Sequence, residues 1–306
     1  MKTKHAGPFL EETGREADEG EIPLRVHPEH GRPGAQAGKV SREAIKRGKD
    51  QLGTLGAGNH FAEIDIVDEV FDQEIARAFG LFEGQVVLQI HCGSRGLGHQ
   101  IGTEFLREMV IAAPGFGLTL PDRELACAPL YSEEGRAYFG AMNCAINIAF
   151  LNRQLIMHRV REVFADYFKK SPRELGLRLV YDVCHNTAKL ESHEIDGGPR
   201  KLLVHRKGAT RAFGPGHAEV STVYRDVGQP VLVPGDMGTA SYVLVGTDAA
   251  LEETFGSSCH GAGRTMSRSA AKKKIQGAAL RRELEEQGIQ VRAGSMAGLA
   301  EEAPEA

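Results

Sequence analysis

The chain predicts an α+β fold: mixed β-sheets packed with helices in one compact domain, with a cleft lined by glycine-rich loops at strand ends. Three observations carry this. Short apolar runs of strand length, such as Val86–Ile90 and Val231–Val233, alternate with stretches whose apolar residues recur at helical spacing. Several of the strand-like runs end in a glycine-rich loop holding a histidine or another polar side chain, and glycine is abundant at 37 of 306 residues. The composition, 41% hydrophobic and 25% charged, is that of a globular domain large enough to bury a core.

Residues 1–38 are polar and broken by Gly, Pro and charge, and read as a poorly structured or divergent segment ahead of a domain over 39–306. From Ser41 a short helical pattern leads into a glycine loop, Gly53 to Gly58. Phe61 to Val67 reads as a strand in which Ile64 and Ile66 alternate against Glu63 and Asp65. Val86–Ile90 is a buried strand ending at His91, and the loop Gly93 to Gly98 opens an amphipathic helix near Gln100 to Ala112. Ala113 to Leu130, rich in Pro and Gly, is loop. Glu133 to Lys170 is helical, with Ile146, Phe150, Ile156 and Val160 marking the buried face. Leu177 to Val183 is a strand delivering Cys184, His185 and Asn186. Further strands start at Leu202, span Val231–Val233 and run from Ser241 to Val245; the second ends in Pro234-Gly-Asp-Met-Gly238. Arg264 to Gln287 is a helix, basic at first.

Charge and cysteine usage exclude some classes. A net charge of −4 gives no overall attraction to nucleic acid. Five cysteines, an odd number without CxxC spacing, argue against a disulfide framework. No apolar run reaches 18 residues and no apolar signal core opens the chain, so a cytoplasmic protein without a membrane partner is expected.

Four histidines in constrained loops carry the chemistry. His60, His91 and His185 stand beside Asn or near Gly, and imidazole suits borderline divalent metals. Asp65 and Asp182 are the oxygen donors in reach of sequence, although strand alternation turns Asp182 away from His185. His260, in Ser-Cys-His-Gly-Ala-Gly-Arg264, is the nucleophile candidate. Neutral imidazole attacks a phosphoryl group to give a phosphoramidate, Gly261 and Gly263 allow close backbone approach, and Arg264 offers a charge-assisted contact. Asp236 and Ser241, in the turn between two strands, offer contacts to a nucleobase, although a hairpin turn without a ligand is the reading the sequence by itself favours. Lys201, Arg206, Lys207 and Arg211 form one basic cluster, and Arg264, Arg268 and Lys272 to Lys274 another. Each suits either a solvated face or a nucleic-acid backbone.

Six ordered motifs resemble one family: Gln51-Leu-Gly-Thr-Leu-Gly-Ala-Gly-Asn-His-Phe-Ala-Glu63, His91-Cys-Gly-Ser-Arg-Gly-Leu-Gly-His99, His185-Asn-Thr-Ala-Lys189, His205-Arg-Lys-Gly-Ala-Thr-Arg-Ala-Phe213, Pro234-Gly-Asp-Met-Gly-Thr-Ala-Ser241 and His260-Gly-Ala-Gly-Arg264. Together they are similar to the RtcB-type RNA ligases, from about Lys39 to the end of the sequence. The resemblance implies GTP- and manganese-dependent joining of RNA 2′,3′-cyclic phosphate or 3′-phosphate ends to 5′-hydroxyl ends through a histidine–GMP intermediate, as in tRNA splicing or RNA repair. It makes His260 catalytic and His60, His91 and His185 ligands of two Mn2+ ions. It assigns nucleotide contacts to Asn59, His60, Phe61, Ala62, Glu63, His185, Asn186, Pro234, Gly235, Asp236, Met237, Ser241, His260, Gly261, Ala262 and Gly263. Arg95, Arg206, Lys207, Arg211 and Arg264 are the candidates for RNA phosphates, and an activating helper protein remains open as a partner.

Two family features lack a match in this sequence: an N-terminal Asp and Cys completing the two-metal site, and a C-terminal lysine on the nucleotide. The expectation is therefore a family member incomplete at both ends. Two other readings stay open: an impaired member that only binds nucleotide or RNA ends, and a metal-dependent phosphoesterase using the three histidines around activated water.

Overall fold

A computed structural model describes residues 34–56, 58–261 and 263–305. Most of the expected poorly structured N-terminal segment, and Ala262 of the histidine loop, lie outside the described residues. Along the chain run α1 (Arg42–Lys49), β1 (Phe61–Ile66), α2 (Gln73–Phe79), β2 (Val86–His91), α3 (Arg95–Ala112), α4 (Glu133–Phe168), β3 (Asn186–Ile195), β4 (Gly198–Lys207), β5 (Ala209–Arg211), β6 (Pro230–Val233), β7 (Tyr242–Val245), α5 (Asp248–Thr254), β8 (Ser257–Cys259), α6 (Arg268–Lys274), α7 (Gly277–Glu286) and α8 (Met296–Glu301). The fold is thus mixed α and β with small sheets: among the described residues, β1 pairs with β2, β3 with β4, β5 with β8 and β6 with β7. No helix among them is long and apolar enough to cross a membrane.

The chain packs as two compact units, a division that sequence periodicity does not reveal. The first comprises the described part of Met1–Gly56 with Ile90–Asp182 and is helical. Ser41 caps α1 by accepting from the Ala44 amide, satisfying a donor the first turn leaves open. Helix α1 meets α3 at Gly48, where a Cβ would fall 2.6 Å from that of Leu97, so only glycine fits the crossing. Ala44, Leu97, Ile101, Phe105, Ala141 and Ala145 form the core between α1, α3 and α4. Helix α4, capped by Ser132 at the Gly135 amide, is 36 residues long, about 54 Å at 1.5 Å per residue.

The second unit comprises the described part of Ala57–Gln89 and Val183–Ala306 and holds the sheets. Strands β3 and β4 are an antiparallel hairpin from Asn186↔Lys207 to Ile195↔Gly198. Its two-residue turn, Asp196-Gly197, has φ of 51° and 80°, the doubly positive pattern that matches strand twist and that Asp-Gly adopts at low cost. Ala271, Leu280, Leu284, Leu299 and Ala303 make a separate helical cluster, with Met237 packed against it.

Several elements differ from the sequence pattern: β2, expected to be buried, is half-buried with Val86 59% exposed. On β1 the acidic residues are the covered ones: Glu63 and Asp65 are half-buried while Ile64 and Ile66 are 59% and 66% exposed. The alternation holds but its polarity is inverted, because the covered face of this strand forms a polar site. Helix α3 begins at Arg95, five residues before the expected start, so Gly96 and Gly98 are helical. They allow close packing, with positions for Cβ only 2.9 Å from the Arg47 carbonyl oxygen and 3.3 Å from the Ala145 Cβ. Leu177–Val183 is not a strand; the strand begins after His185, at Asn186. Arg264–Gln287 is two helices separated at Ile275, whose φ of −110° and ψ of 131° are extended. The second starts at Gly277, where a Cβ would lie 2.0 Å from the Met296 carbonyl oxygen.

Candidate functional site

In the first unit the polar face of α4 organises two glycine loops. Asn152, fully buried, accepts from the Gly53 amide at 2.6 Å. Its amide nitrogen reaches the Gly93 oxygen at 3.1 Å, the Cys92 sulfur at 3.1 Å and the Thr54 oxygen at 3.3 Å. Arg153 donates to the Cys92 oxygen (3.0 Å) and to Asp182 (2.6 Å), and Arg159 donates to the Gly53 oxygen (2.7 Å). The loop after His91 is therefore fixed through its backbone. Asp182 is committed to Arg153, which accounts for it without a metal. Cys92 is buried and its thiol, which donates to the Leu55 oxygen at 3.1 Å, is pushed above its ordinary value by burial. Arg95 is half-buried, donates from Nε to the Thr54 oxygen (3.1 Å), and lies where a side chain on Gly56 would otherwise be.

In the second unit the remaining candidates converge. The His185 and His260 rings stack with centroids 4.1 Å apart and planes inclined by 35°. A nitrogen of one lies within 4.8 Å of a nitrogen of the other. Facing imidazoles are the donors that borderline divalent cations take, so the residues present fit such an ion. Gly208 holds the pair from one side: its amide donates to the His185 carbonyl at 3.1 Å, and a Cβ there would touch the His260 ring at 3.6 Å. Gly261 approaches the Pro234 oxygen so closely that a Cβ would sit 3.1 Å from it. The loop starting at Pro234 is closed by Ser241, whose hydroxyl accepts from the Gly235 amide (3.0 Å) and donates to Glu63 (3.1 Å). Asp236 accepts from the Thr239 hydroxyl at 2.7 Å. A chain of contacts thus links Glu63, Ser241, Gly235, Pro234 and Gly261, and so leads to His260, Gly208 and His185.

Electrostatics mark Glu63. Burial first, and then the neighbouring Asp65 carboxylate, push its carboxyl from the ordinary 4.5 up to about 7, against the lowering effect of the Ser241 hydroxyl. Asp65 is also raised by burial, opposed by its hydrogen bond with Glu63. Two acids on one covered strand face cannot both ionise cheaply.

The other expected residues differ in exposure. Asn59, Ala62, Asn186 and Gly263 are exposed, and His60 and Phe61 are half-buried at the start of β1. His91 ends β2 and is half-buried. Met237 anchors its loop by packing on the α6–α8 cluster. The RNA-phosphate candidates divide. Lys207 is exposed. Arg264 is tied to Glu302 at 2.9 Å. Arg206 and Arg211 are corrections: they are 2% and 1% exposed and bound to Glu191 and Glu219, so neither presents a charge to a surface ligand. A basic run in sequence does not show which lysines and arginines turn inward to buried carboxylates. Sequence also missed Asn152, Gly208 and Glu191, and read Arg206 as a surface charge. Only Asn152 leaves a trace, as an amide on an otherwise apolar helix face.

A family model described as "tRNA-splicing ligase RtcB" matches residues 11–306, starting well ahead of Lys39. The tRNA-splicing ligase RtcB of Archaeoglobus fulgidus is 59% identical over 273 residues, covering 89% of this chain and 57% of that protein. Its namesake in Thermococcus kodakarensis is 57% identical over 271 residues, covering 89% and 56%. That of Pyrococcus abyssi is 56% identical over 271 residues, covering 89% and 30%. The chain spans about half or less of the length of the curated relatives it matches.

Proposed function

Because the chain belongs to the tRNA-splicing ligase RtcB family, we propose that it carries the guanylylating centre of an RNA ligase that joins 3′-phosphate or 2′,3′-cyclic phosphate ends to 5′-hydroxyl ends with GTP. The observation that supports this best is the His260 ring, stacked on His185 at 4.1 Å and flanked by the close-approach glycines Gly208 and Gly261. Such a site presents an imidazole with room for a phosphate against backbone.

In this reading a His260 nitrogen attacks the α-phosphorus of GTP. A nitrogen–phosphorus bond forms, the bond from that phosphorus to the β-phosphate oxygen breaks, pyrophosphate leaves, and the imidazole proton passes to solvent. An oxygen of the RNA 3′-phosphate then attacks the same phosphorus, and the imidazole departs and regains a proton. The RNA 5′-hydroxyl attacks the activated 3′-phosphate, loses its proton and displaces GMP. His60, His91 and His185 are proposed to hold Mn2+, which when bound supplies positive charge against the triphosphate. Ser241, Gly235 and Asp236 hold the nucleotide loop in shape, and Glu63 offers an acceptor to nucleotide N–H donors. Lys207 and Arg264 are the lysine and arginine candidates left for RNA phosphate, with Arg95 at the loop of the first unit. Cytoplasmic location and a helper protein belong to the same proposal.

The test is incubation of the chain with manganese and GTP labelled at the α-phosphate. The expected result is an acid-labile protein adduct, absent in His260→Ala and absent after chelation of the metal. A folded chain that takes no label would refute this reading and leave a protein that binds nucleotide or RNA ends without chemistry. Hydrolysis of phosphoesters that persists in His260→Ala would favour a phosphoesterase.

A further inference from the structure

We infer that the buried Glu191–Arg206 pair is a positioning device for His260, a role that rests on the proposed reading of His260 as the guanylylated residue. Arg206 lies on β4 and Glu191 on β3, each almost fully buried. The guanidinium grips the carboxylate with both arms, Nη1 to Oε1 at 2.6 Å and Nη2 to Oε2 at 2.9 Å. Its other donors leave the hairpin: Nε reaches the Ser257 hydroxyl at 2.9 Å and Nη2 the Phe255 oxygen at 2.8 Å. Glu191 is oriented in turn by His193, whose Nε2 is 3.1 Å from Oε2.

One planar group therefore joins three segments, and each of them leads to the imidazole stack. Strand β3 follows His185 directly. Strand β4 ends at Lys207, and the next residue, Gly208, donates to the His185 carbonyl and lies where a Cβ would meet the His260 ring. Ser257 opens β8, and His260 stands immediately after that strand. A rigid fork fixes angles as well as distances, which a lysine ammonium does not. Stability alone does not require this arrangement. A buried ion pair gains little over apolar residues of similar volume, because desolvating two charges consumes most of the attraction. Holding three backbones in register is what the charged fork adds.

The experiment compares wild type with a Glu191→Gln/Arg206→Met double variant and with Ser257→Ala. The double variant removes the charges while Gln keeps a partner for His193. Ser257→Ala keeps the ion pair and cuts one tie to β8. Three readouts are taken: melting temperature, the rate of label transfer from GTP against GTP concentration, and the His260 imidazole proton resonance, assigned by its loss in His260→Ala. The double variant is expected to fold with a lowered melting temperature, since Met leaves the Phe255 oxygen and the Ser257 hydroxyl without the Arg206 donors. It is expected to lose roughly 100-fold in transfer rate, the scale of a 1 Å misplacement, and to keep its half-saturating GTP concentration. Its His260 resonance moves as the ring leaves the stacking field of His185. Ser257→Ala shows the same changes on a smaller scale. A folded double variant with wild-type rate and an unmoved resonance overturns the inference. If the double variant does not fold, an unmoved resonance in Ser257→Ala overturns it. If wild type takes no label, the ligase reading fails, and the resonance shift alone decides whether the pair positions His260.

Discussion

Replacing Asn152 with alanine tests how the glycine loops of the first unit are held. Its carboxamide oxygen is the acceptor for the buried Gly53 amide, and its nitrogen has two N–H bonds for three acceptors: the Gly93 oxygen, the Cys92 sulfur and the Thr54 oxygen. Truncation does not orphan all of them. The Thr54 oxygen keeps the Arg95 guanidinium at 3.1 Å, and the Cys92 thiol keeps its own bond to the Leu55 oxygen. The Gly53 amide and the Gly93 oxygen lose the bonds from Asn152. A buried backbone group without a partner costs about 1–3 kcal/mol. Gly53 is buried and bears that cost fully, whereas half-buried Gly93 recovers part of it from water. The expected loss is about 2–4 kcal/mol, measured by urea unfolding of the first unit followed by far-ultraviolet circular dichroism. A loss under about 0.5 kcal/mol, the level of an ordinary surface change, would refute the assignment of Asn152 as the anchor of both loops.

Two further outcomes follow from the second unit. The folded state holds the proton of Glu63 more tightly than the unfolded chain, since its carboxyl is raised from 4.5 to about 7. The stability it contributes is therefore complete below about pH 4.5 and lost as pH rises through about 7. Glu63→Gln removes that slope: the stability difference, variant minus wild type, rises across this window in denaturation curves, and a flat difference would contradict it. Leu284→Ala opens a cavity in the α6–α8 cluster, where Leu284 is 3% exposed and lies 3.3 Å from the Cβ position of Gly238. It should cost about 2–5 kcal/mol by thermal unfolding and loosen the Pro234–Ser241 loop, whose amides then exchange faster with deuterium.

What the sequence by itself determined is local chemistry and local order. Periodicity foretold the long α4 helix; of its expected buried face, Ile146, Phe150 and Ile156 are buried and Val160 is half-buried. The glycine loops with His185 and His260 were visible as motifs because close backbone approach restricts residue type at particular spacings. That restriction is met at Gly208 and Gly261, where the second unit brings loops distant in sequence together. Tertiary structure alone decided which way side chains face and which charges are spent internally. β1 alternates as its pattern says, but burial of Glu63 and Asp65 with Ile64 and Ile66 outside depends on what covers the strand. Arg206 and Lys207 are equivalent as neighbours in a basic run, yet strand alternation sends one to the solvent and the other to Glu191, 15 residues away. Alternation gives opposite faces, but only the packed partner says which face is the inside.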